Sequence, residues 1–229
     1  MHDKDNDNDS RGHNRGSHTH RLQCRCGQVA GELADTPSAL HIVCYCRDCQ
    51  AYAHHLGQAD TVLDALAGTE VVATHARNVS FTQGAEHIAC VSLTDKGMLR
   101  WYARCCHTPL ANTGRDWRMP YVGLVHSSLR SAPRGTDSET LGPPVFRPVQ
   151  MHHETSGAKG GTPPKLGAWK QARALLGFMP RIAAARLTGS YRRTPFFDGA
   201  GVPVAPVQVL TAAEHARAMD AVGAEAPAG

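Results

Sequence analysis

Short apolar runs separated by glycine, proline and polar residues follow one another from residue 22 to about residue 148. Runs of four to eight residues between turn-forming residues are typical of β-strands. The strands predicted in this way lie within residues 27–33, 41–43, 70–73, 86–93, 99–102 and 121–125, and residues 61–67 could instead form a helical turn. We therefore predict a mainly β fold, built as a small, twisted, antiparallel domain.

The two ends of the chain have patterns of their own. Residues 1–20 contain almost nothing to bury and are rich in Asp, Asn, Ser, Gly and His, so we predict a disordered tail. We assign residues 21–150 to the β-domain and residues 151–229 to a C-terminal extension.

Helical spacing of apolar residues indicates an amphipathic helix near residues 165–187 of the extension, with Pro180 ending its first part. Lys and Arg residues surround an apolar face that contains Trp169. We expect this face to pack on the β-domain or on a second subunit and to shield Trp169, in preference to binding a membrane surface. A last helix should begin at Thr211, with Glu214 at the capping-box position.

Composition narrows the functional class. With 229 residues, 41% of them hydrophobic, the chain can fill a sizeable core. Its formal charge of +4 is spread along the chain, so no nucleic-acid partner is predicted. No apolar run reaches the length of a membrane-spanning helix, and the N-terminus is polar where a secretory signal would be apolar. We therefore expect a cytoplasmic protein with no transmembrane segment, and homo-oligomer formation stays open.

Seven of the eight cysteines fall into three clusters, which are Cys24 and Cys26, then Cys44, Cys46 and Cys49, then Cys105 and Cys106. In a reducing compartment such cysteines serve as thiols or metal ligands rather than as disulfides. A C-x-C-x-x-C turn can supply three corners of a zinc tetrahedron from one loop, so zinc is the predicted cofactor. Cys90 lies inside a strand-like run and is predicted to be a core residue.

The number of thiols leaves the nature of the second site open. Seven thiols cannot fill two closed sites of four sulfurs each. If the four outer cysteines form one closed site, the middle three leave an open position, which is the arrangement of catalytic zinc. If Cys90, His54 or His55 fills that position, both sites are only structural.

These motifs together resemble the glutathione-dependent formaldehyde-activating enzyme family. The matching segments are C-x-C-G at Cys24, C-x-C-x-x-C at Cys44, and the sequence Cys-His-Thr-Pro-Leu at Cys106. The resemblance covers residues 22 to about 125 and implies a folded antiparallel β-sheet zinc domain. It also implies that the first and last pairs hold a structural zinc and that the middle three cysteines hold a catalytic zinc.

One ligand position departs from that family pattern. Ala103 stands where the family has the first cysteine of its last pair, and the nearest substitute is Cys105, next to Cys106. Adjacent residues of a strand point to opposite faces, so both sulfurs can reach one ion only if the chain turns there.

The resemblance implies a carbon-sulfur lyase or transferase that acts on a thiol-aldehyde adduct, so the expected partner is a small-molecule thiol or thiol adduct. A metal ion with three thiolate ligands can bind a further thiol and remove its proton. His54 and His55 are the nearby candidates for a base, although exposed polar residues at a loop end are a simpler interpretation.

Two non-catalytic interpretations stay open beside the enzyme. One is a zinc-stabilised β-module that binds a partner through the basic helix, and the other is a redox or metal sensor based on Cys105 and Cys106. The sequence does not decide among the three. It also leaves the thiol, the aldehyde and the role of the C-terminal extension undefined.

Overall fold

The structure is a computed structural model that describes residues 19–130 and 148–224. These residues form two β-sheets and a helical C-terminal part, which confirms the predicted fold class. The strands are β1 (His20–Gln23), β2 (Ala30–Leu33), β3 (Leu40–Cys44), β4 (Thr69–His75), β5 (Val79–Gln83), β6 (Ile88–Ser92), β7 (Leu99–Ala103), β8 (Thr108–Thr113), β9 (Tyr121–Val125), β10 (Leu129–Arg130), β11 (Met151–His153) and β12 (Val207–Val209). The α-helices are α1 (Arg47–His55), α2 (Ala59–Val62), α3 (Ala168–Leu187) and α4 (Ala212–Ala224). The tail predicted to be disordered lies outside the described residues as far as residue 18.

The strand order shows how the C-terminal part joins the β-domain. One sheet has the order β10-β1-β2-β5, and the other has the order β11-β3-β4-β9-β8-β7-β6-β12. All neighbouring strands pair antiparallel, with two exceptions at the ends of the larger sheet: β11 lies parallel to β3, and β12 lies parallel to β6. Both outermost strands of the larger sheet therefore come from residues after 150.

The main core contains side chains from both sheets and from the C-terminal part. Trp101 is fully buried, and its ring centroid lies 5.2 Å from that of Phe196 and 6.0 Å from that of Phe197. The indole Nε1 of Trp101 donates a hydrogen bond to Thr113 Oγ1 at 2.9 Å, which satisfies the polar atom of this buried ring. The segment between α3 and β12 is thus part of the β-domain core.

Several elements were not predicted from the sequence, among them the short strands β1, β10 and β11 and the elements β5, β8 and α1. Strands β5 and β8 contain many polar residues, and α1 was interpreted as part of a cysteine loop. Every residue of β8 is buried in spite of its polar sequence TPLANT. Its polar side chains find buried partners, because Asn112 accepts a hydrogen bond from Arg100 and Thr113 accepts one from Trp101.

Helix α3 packs on the larger sheet through a different face from the one predicted. Phe178 and Ile182 are buried against Leu40 and Ile42 of β3, whereas Trp169 is 78% exposed. The expectation that Trp169 would be shielded is therefore wrong, because the helix is rotated so that the face containing Phe178 meets the sheet. The helix also continues through Pro180, although a proline in a helix interior removes one backbone hydrogen bond.

Helix α4 has the predicted start. The backbone N–H of Thr211 donates to Glu214 Oε2 at 2.9 Å, and the backbone N–H of Glu214 donates to Thr211 Oγ1 at 3.2 Å, which is a capping box. The helix packs on α1, where Ala218 and Val222 share a cluster with Tyr52. Across residues 19–130 and 148–224, no helix combines the length and the apolar character needed to span a membrane.

Candidate metal centre

The cysteines Cys44, Cys46 and Cys49, here called the trio, converge where β3 passes into α1. Cys44 ends β3, Cys46 precedes the first residue of α1, and Cys49 lies in the first turn of that helix. The Sγ atom of Cys44 is 3.3 Å from that of Cys46 and 3.7 Å from that of Cys49. Sulfurs bound to one tetrahedral zinc ion at about 2.3 Å lie about 3.8 Å apart. The trio therefore fits three corners of a metal site.

Residues 153–157 hold the loop that carries the trio. The Gln50 side-chain amide donates hydrogen bonds to the carbonyl oxygens of Tyr45 at 2.8 Å and Gly157 at 2.9 Å. The backbone N–H of Tyr45 donates to the carbonyl of His153 at 2.9 Å. A Cβ atom on Gly157 would lie 2.1 Å from the Tyr45 carbonyl oxygen, so this contact requires glycine. The position of the trio thus depends on a segment far away in sequence.

Arg100 places a buried positive charge behind the trio. This residue of β7 is 3% exposed, and its Nη1 lies 3.8 Å from Cys49 Sγ and 3.2 Å from Asn112 Oδ1. Its Nη2 is 3.9 Å from the exposed carboxylate of Asp48. A buried guanidinium in contact with sulfur favours the thiolate form of that sulfur.

The three thiols of the trio influence one another. Contacts with Cys44 and Cys46, together with the Arg100 guanidinium, lower the pKa of Cys49 well below its usual range. Contacts with Cys46 and Cys49 raise the pKa of Cys44. One negative charge is therefore favoured at Cys49, and full ionisation of the trio requires a cation between the sulfurs. This is the electrostatic environment of a metal-binding site.

His153 lies beside the trio and was not predicted. Its Nδ1 is 3.5 Å from Cys44 Sγ, because β11 lies parallel to β3 with His153 opposite Cys44. A nitrogen and a sulfur on one tetrahedral zinc ion lie about 3.6 Å apart, which matches the contact with Cys44. His153 is not, however, part of the group of trio sulfurs that all lie within 4.8 Å of one another, so its ring would have to move to become a fourth ligand. Local sequence patterns give no signal for a parallel pairing between strands so far apart in the chain.

The four outer cysteines form a second group. Cys24 Sγ lies 3.5 Å from Cys26 Sγ and 3.9 Å from Cys105 Sγ, and the sulfurs of Cys105 and Cys106 are 3.9 Å apart. The chain turns between β7 and β8, with His107 at a φ of 55°, so that both adjacent cysteines reach the same group. All four sulfurs lie within 4.8 Å of one another, which suits a closed four-sulfur site.

The outer group also favours a thiolate. Burial raises the pKa of Cys106, but hydrogen bonds from the Thr108 side chain and from nearby backbone N–H groups outweigh it and lower the pKa to about 6. The backbone N–H of Val29 donates to Cys24 Sγ at 3.3 Å. Such N–H donors stabilise sulfur ligands, so the fold supplies both the sulfurs and the groups that orient them.

The candidate bases proposed from the sequence lie elsewhere. His54 and His55 line a cleft with Glu214 and Arg217 of α4, and neither borders the cavity beside the trio. Their placement therefore gives no support to the candidate role as bases at the trio, because the last turn of α1 faces α4. Cys90 is buried in the main core, as predicted.

A third group of polar side chains joins β3, β4 and the turn after β9. Glu70 Oε2 lies 3.0 Å from His41 Nε2 and 2.8 Å from His126 Nδ1, and the two imidazole rings stack at 4.8 Å. Hydrogen bonds from His126 and His41 hold the pKa of Glu70 well below its usual range. Both imidazoles share one carboxylate oxygen, so the group forms a hydrogen-bonded cluster that joins the two histidines to Glu70.

A cavity of about 410 Å³ adjoins the trio between the larger sheet and α3. Its lining includes Cys44, Cys46 and Cys49 together with Leu175 and Phe178 of α3. Cavities of this size bind small organic ligands. A ligand in this cavity could contact the sulfurs of the trio.

Comparison with known proteins places the chain in a family. A match to DUF6151, a family of unknown function, extends over residues 17–208. The chain belongs to this family. No curated protein matches the DUF6151 chain. A crystal structure of a Rhodobacter sphaeroides protein, a structural genomics target, is 18% identical, with coverage of 53% of this chain and 94% of that chain and a TM-score of 0.33. A likeness of this degree supports no statement about the function of the DUF6151 chain.

Proposed function

We propose that the protein binds zinc at both cysteine groups and acts as a carbon-sulfur lyase on a thiol-aldehyde adduct at the trio. The observation that carries this proposal is that three sulfurs backed by Arg100 form the wall of a ligand-sized cavity. The motif resemblance to glutathione-dependent formaldehyde-activating enzymes supports the same chemistry. The outer group, with four sulfurs, has the composition of a structural site.

The proposed reaction divides an adduct R–S–CH(OH)–R′ into a thiol and an aldehyde. The C–S bond breaks with its electron pair left on sulfur, while the hydroxyl group loses its proton to solvent and becomes the carbonyl. A bound zinc ion supplies the Lewis acid that stabilises the departing thiolate. The same steps in reverse join a thiol to an aldehyde.

Arg100 has a defined role in this scheme. Three thiolates around a divalent ion leave one net negative charge, and a further thiolate adds another. The guanidinium of Arg100, buried 3.8 Å from Cys49 Sγ, offsets part of this charge where little water is present to screen it. Its hydrogen bond to Asn112 fixes its orientation.

Cobalt substitution tests the proposal directly. We expect that adding a small thiol to the cobalt protein changes the visible absorption, because a fourth sulfur enters the coordination shell at the trio. Cys46→Ser should abolish the response, whereas Cys24→Ser, which alters the outer group, should keep it. A spectrum that ignores every thiol offered would refute the lyase.

His153 favours a second candidate function, a non-catalytic zinc-stabilised module. If His153 closes the trio as its fourth ligand, the wild-type cobalt spectrum should not respond to thiols. His153→Ala should then open the position and create a response. A response that is already present in the wild-type protein would exclude the closed module and leave the open site that the lyase requires.

A further inference from the structure

The lining of the cavity beside the trio indicates which adducts the protein would accept. Leu40, Ile42 and Val71 form the sheet wall, and Leu175, Phe178 and Met179 of α3 form the opposite wall. The rest of the lining beside the cysteines is half apolar or aromatic and half polar: it consists of Ala73, Met98, Tyr121 and Met151 together with Asp48, Arg100, Asn112 and His153. Apolar walls on both sides favour an alkyl or aryl group and disfavour a charged one.

The charged groups of the lining point the same way. Among the described residues that border the cavity, one carries a guanidinium group, which is Arg100, and one carries a carboxylate, which is Asp48. Arg100 is already engaged by Cys49 and Asn112 and is 3% exposed. A tripeptide thiol such as glutathione brings two carboxylates and one ammonium group. Burying these charges without partners is costly, so the cavity suits an uncharged thiol.

We propose that the cavity takes thiols and aldehyde adducts whose organic part is apolar, of the size of a short alkyl chain or one aromatic ring. The inference rests on the proposed function, because it assigns the substrate class of that same site. It departs from the glutathione substrate that the motif resemblance implies. Sulfur would bind at the trio, and the apolar group would lie between β3 and α3.

A homologous series of thiols tests the inference on the cobalt protein. The affinity of the protein for the thiol should rise about fourfold per added methylene from ethanethiol to pentanethiol, because removing one CH₂ group from water strengthens binding by about this factor. 2-Mercaptoethanesulfonate and glutathione should bind more weakly than butanethiol. Leu175→Ser, at the cavity wall, should weaken the binding of pentanethiol roughly fivefold and the binding of ethanethiol far less. Leu176→Ser is the matched control, because the neighbouring side chain is 69% exposed and does not line the cavity.

The outcomes separate this inference from the proposed function. If glutathione binds tightly and chain length has no effect, the apolar substrate class is refuted while the lyase stands. If no thiol of any kind changes the spectrum, the lyase itself is refuted, and the substrate class with it.

The outer face of α3 supports a second inference from a different observation. Trp169, Leu176 and Leu187 are 78%, 69% and 88% exposed and lie along one line of the helix, at spacings of seven and eleven residues. The helix sequence contains no Asp or Glu. Lys170, Arg173 and Arg181 line a shallow cleft along one flank of the helix.

We infer that this face of α3 docks on a membrane surface that carries anionic lipids. An exposed apolar line with a tryptophan and flanking cations is typical of interfacial helices. Pairing with a second copy of the same helix would bring cations together without any acidic partner on the helix. The charge of the face thus favours an anionic surface.

Vesicle binding tests this docking surface. The protein should bind vesicles of phosphatidylserine and phosphatidylcholine more tightly than vesicles of phosphatidylcholine alone, with a loss of affinity at high salt. Trp169 emission should shift to shorter wavelength, and Trp169→Phe should remove the shift. Leu176→Asp should abolish binding without changing the thiol series. Absence of binding to anionic vesicles, or a concentration-dependent dimer that Leu176→Asp disrupts, would refute membrane docking.

Discussion

Replacing Arg100 by methionine removes the buried charge behind the trio while keeping an unbranched, apolar side chain in the same position. The guanidinium contacts Cys49 Sγ at 3.8 Å in a position that is 3% exposed. A hydrogen bond to a charged partner contributes about 1.5–3 kcal/mol. A change of about 1.4 kcal/mol in binding free energy corresponds to a tenfold change in the dissociation constant. Arg100→Met should therefore weaken zinc binding at the trio by about 10- to 150-fold.

Competition with a chromophoric chelator can measure this change. Of the two zinc-binding events, the one that Cys46→Ser removes is assigned to the trio. The other, at the outer group, serves as an internal reference. Arg104→Met is a suitable control, because Arg104 donates to the carbonyl of Ile88 rather than to a sulfur of the trio. A folded Arg100→Met protein with less than a threefold change in zinc affinity would show that the guanidinium does not support the metal site.

Three further predictions concern stability. Phe196→Ala should lower the free energy of unfolding by about 3–5 kcal/mol in urea denaturation, because Phe196 is fully buried against Trp101, whereas Leu187→Ala should change it by less than about 0.5 kcal/mol. Burial, and then Arg77 and Arg193, lower the pKa of His75 from 6.5 to about 4. Above pH 6.5 this group should not affect stability, whereas between pH 6.5 and 4 the unfolded chain binds a proton that the folded protein does not, so stability should fall as the pH drops. The loss, up to about 3 kcal/mol, should be absent in His75→Gln when urea curves at several pH values are compared. Cys24→Ser should lower the thermal midpoint of the zinc-loaded protein, and after chelation the variant and the wild type should melt alike.

Local patterns predicted much of the β-fold. The strands containing Ile42, Val71, Trp101 and Val122 follow apolar runs between turn residues, and each was found in the larger sheet. The start of α4 was also predictable, because Thr211 and Glu214 satisfy each other within one turn. These features depend on interactions between neighbours in the chain.

The features that the sequence did not reveal depend on contacts between distant segments. His153 meets Cys44 only through a parallel strand pairing, and His41 meets His126 only because the fold brings β3 and the turn after β9 together beside Glu70 of β4. Strand β8 is polar in composition and is buried because Arg100 and Trp101 supply partners for its side chains. The rotation of α3 was mispredicted because both of its faces are apolar, and only the packing of Phe178 on the sheet decides between them.

The parallel outermost strands of the larger sheet have a consequence for synthesis in the cell. A nascent chain leaves the ribosome from its N-terminus, so β3 and β6 emerge long before β11 and β12, which pair with them. Until then both edges of the sheet carry unpaired backbone groups, and Trp101 lacks the cover of Phe196. Both edges are therefore covered only after the ribosome has released β12, and a chain that terminates after β9 would expose two open edges to aggregation.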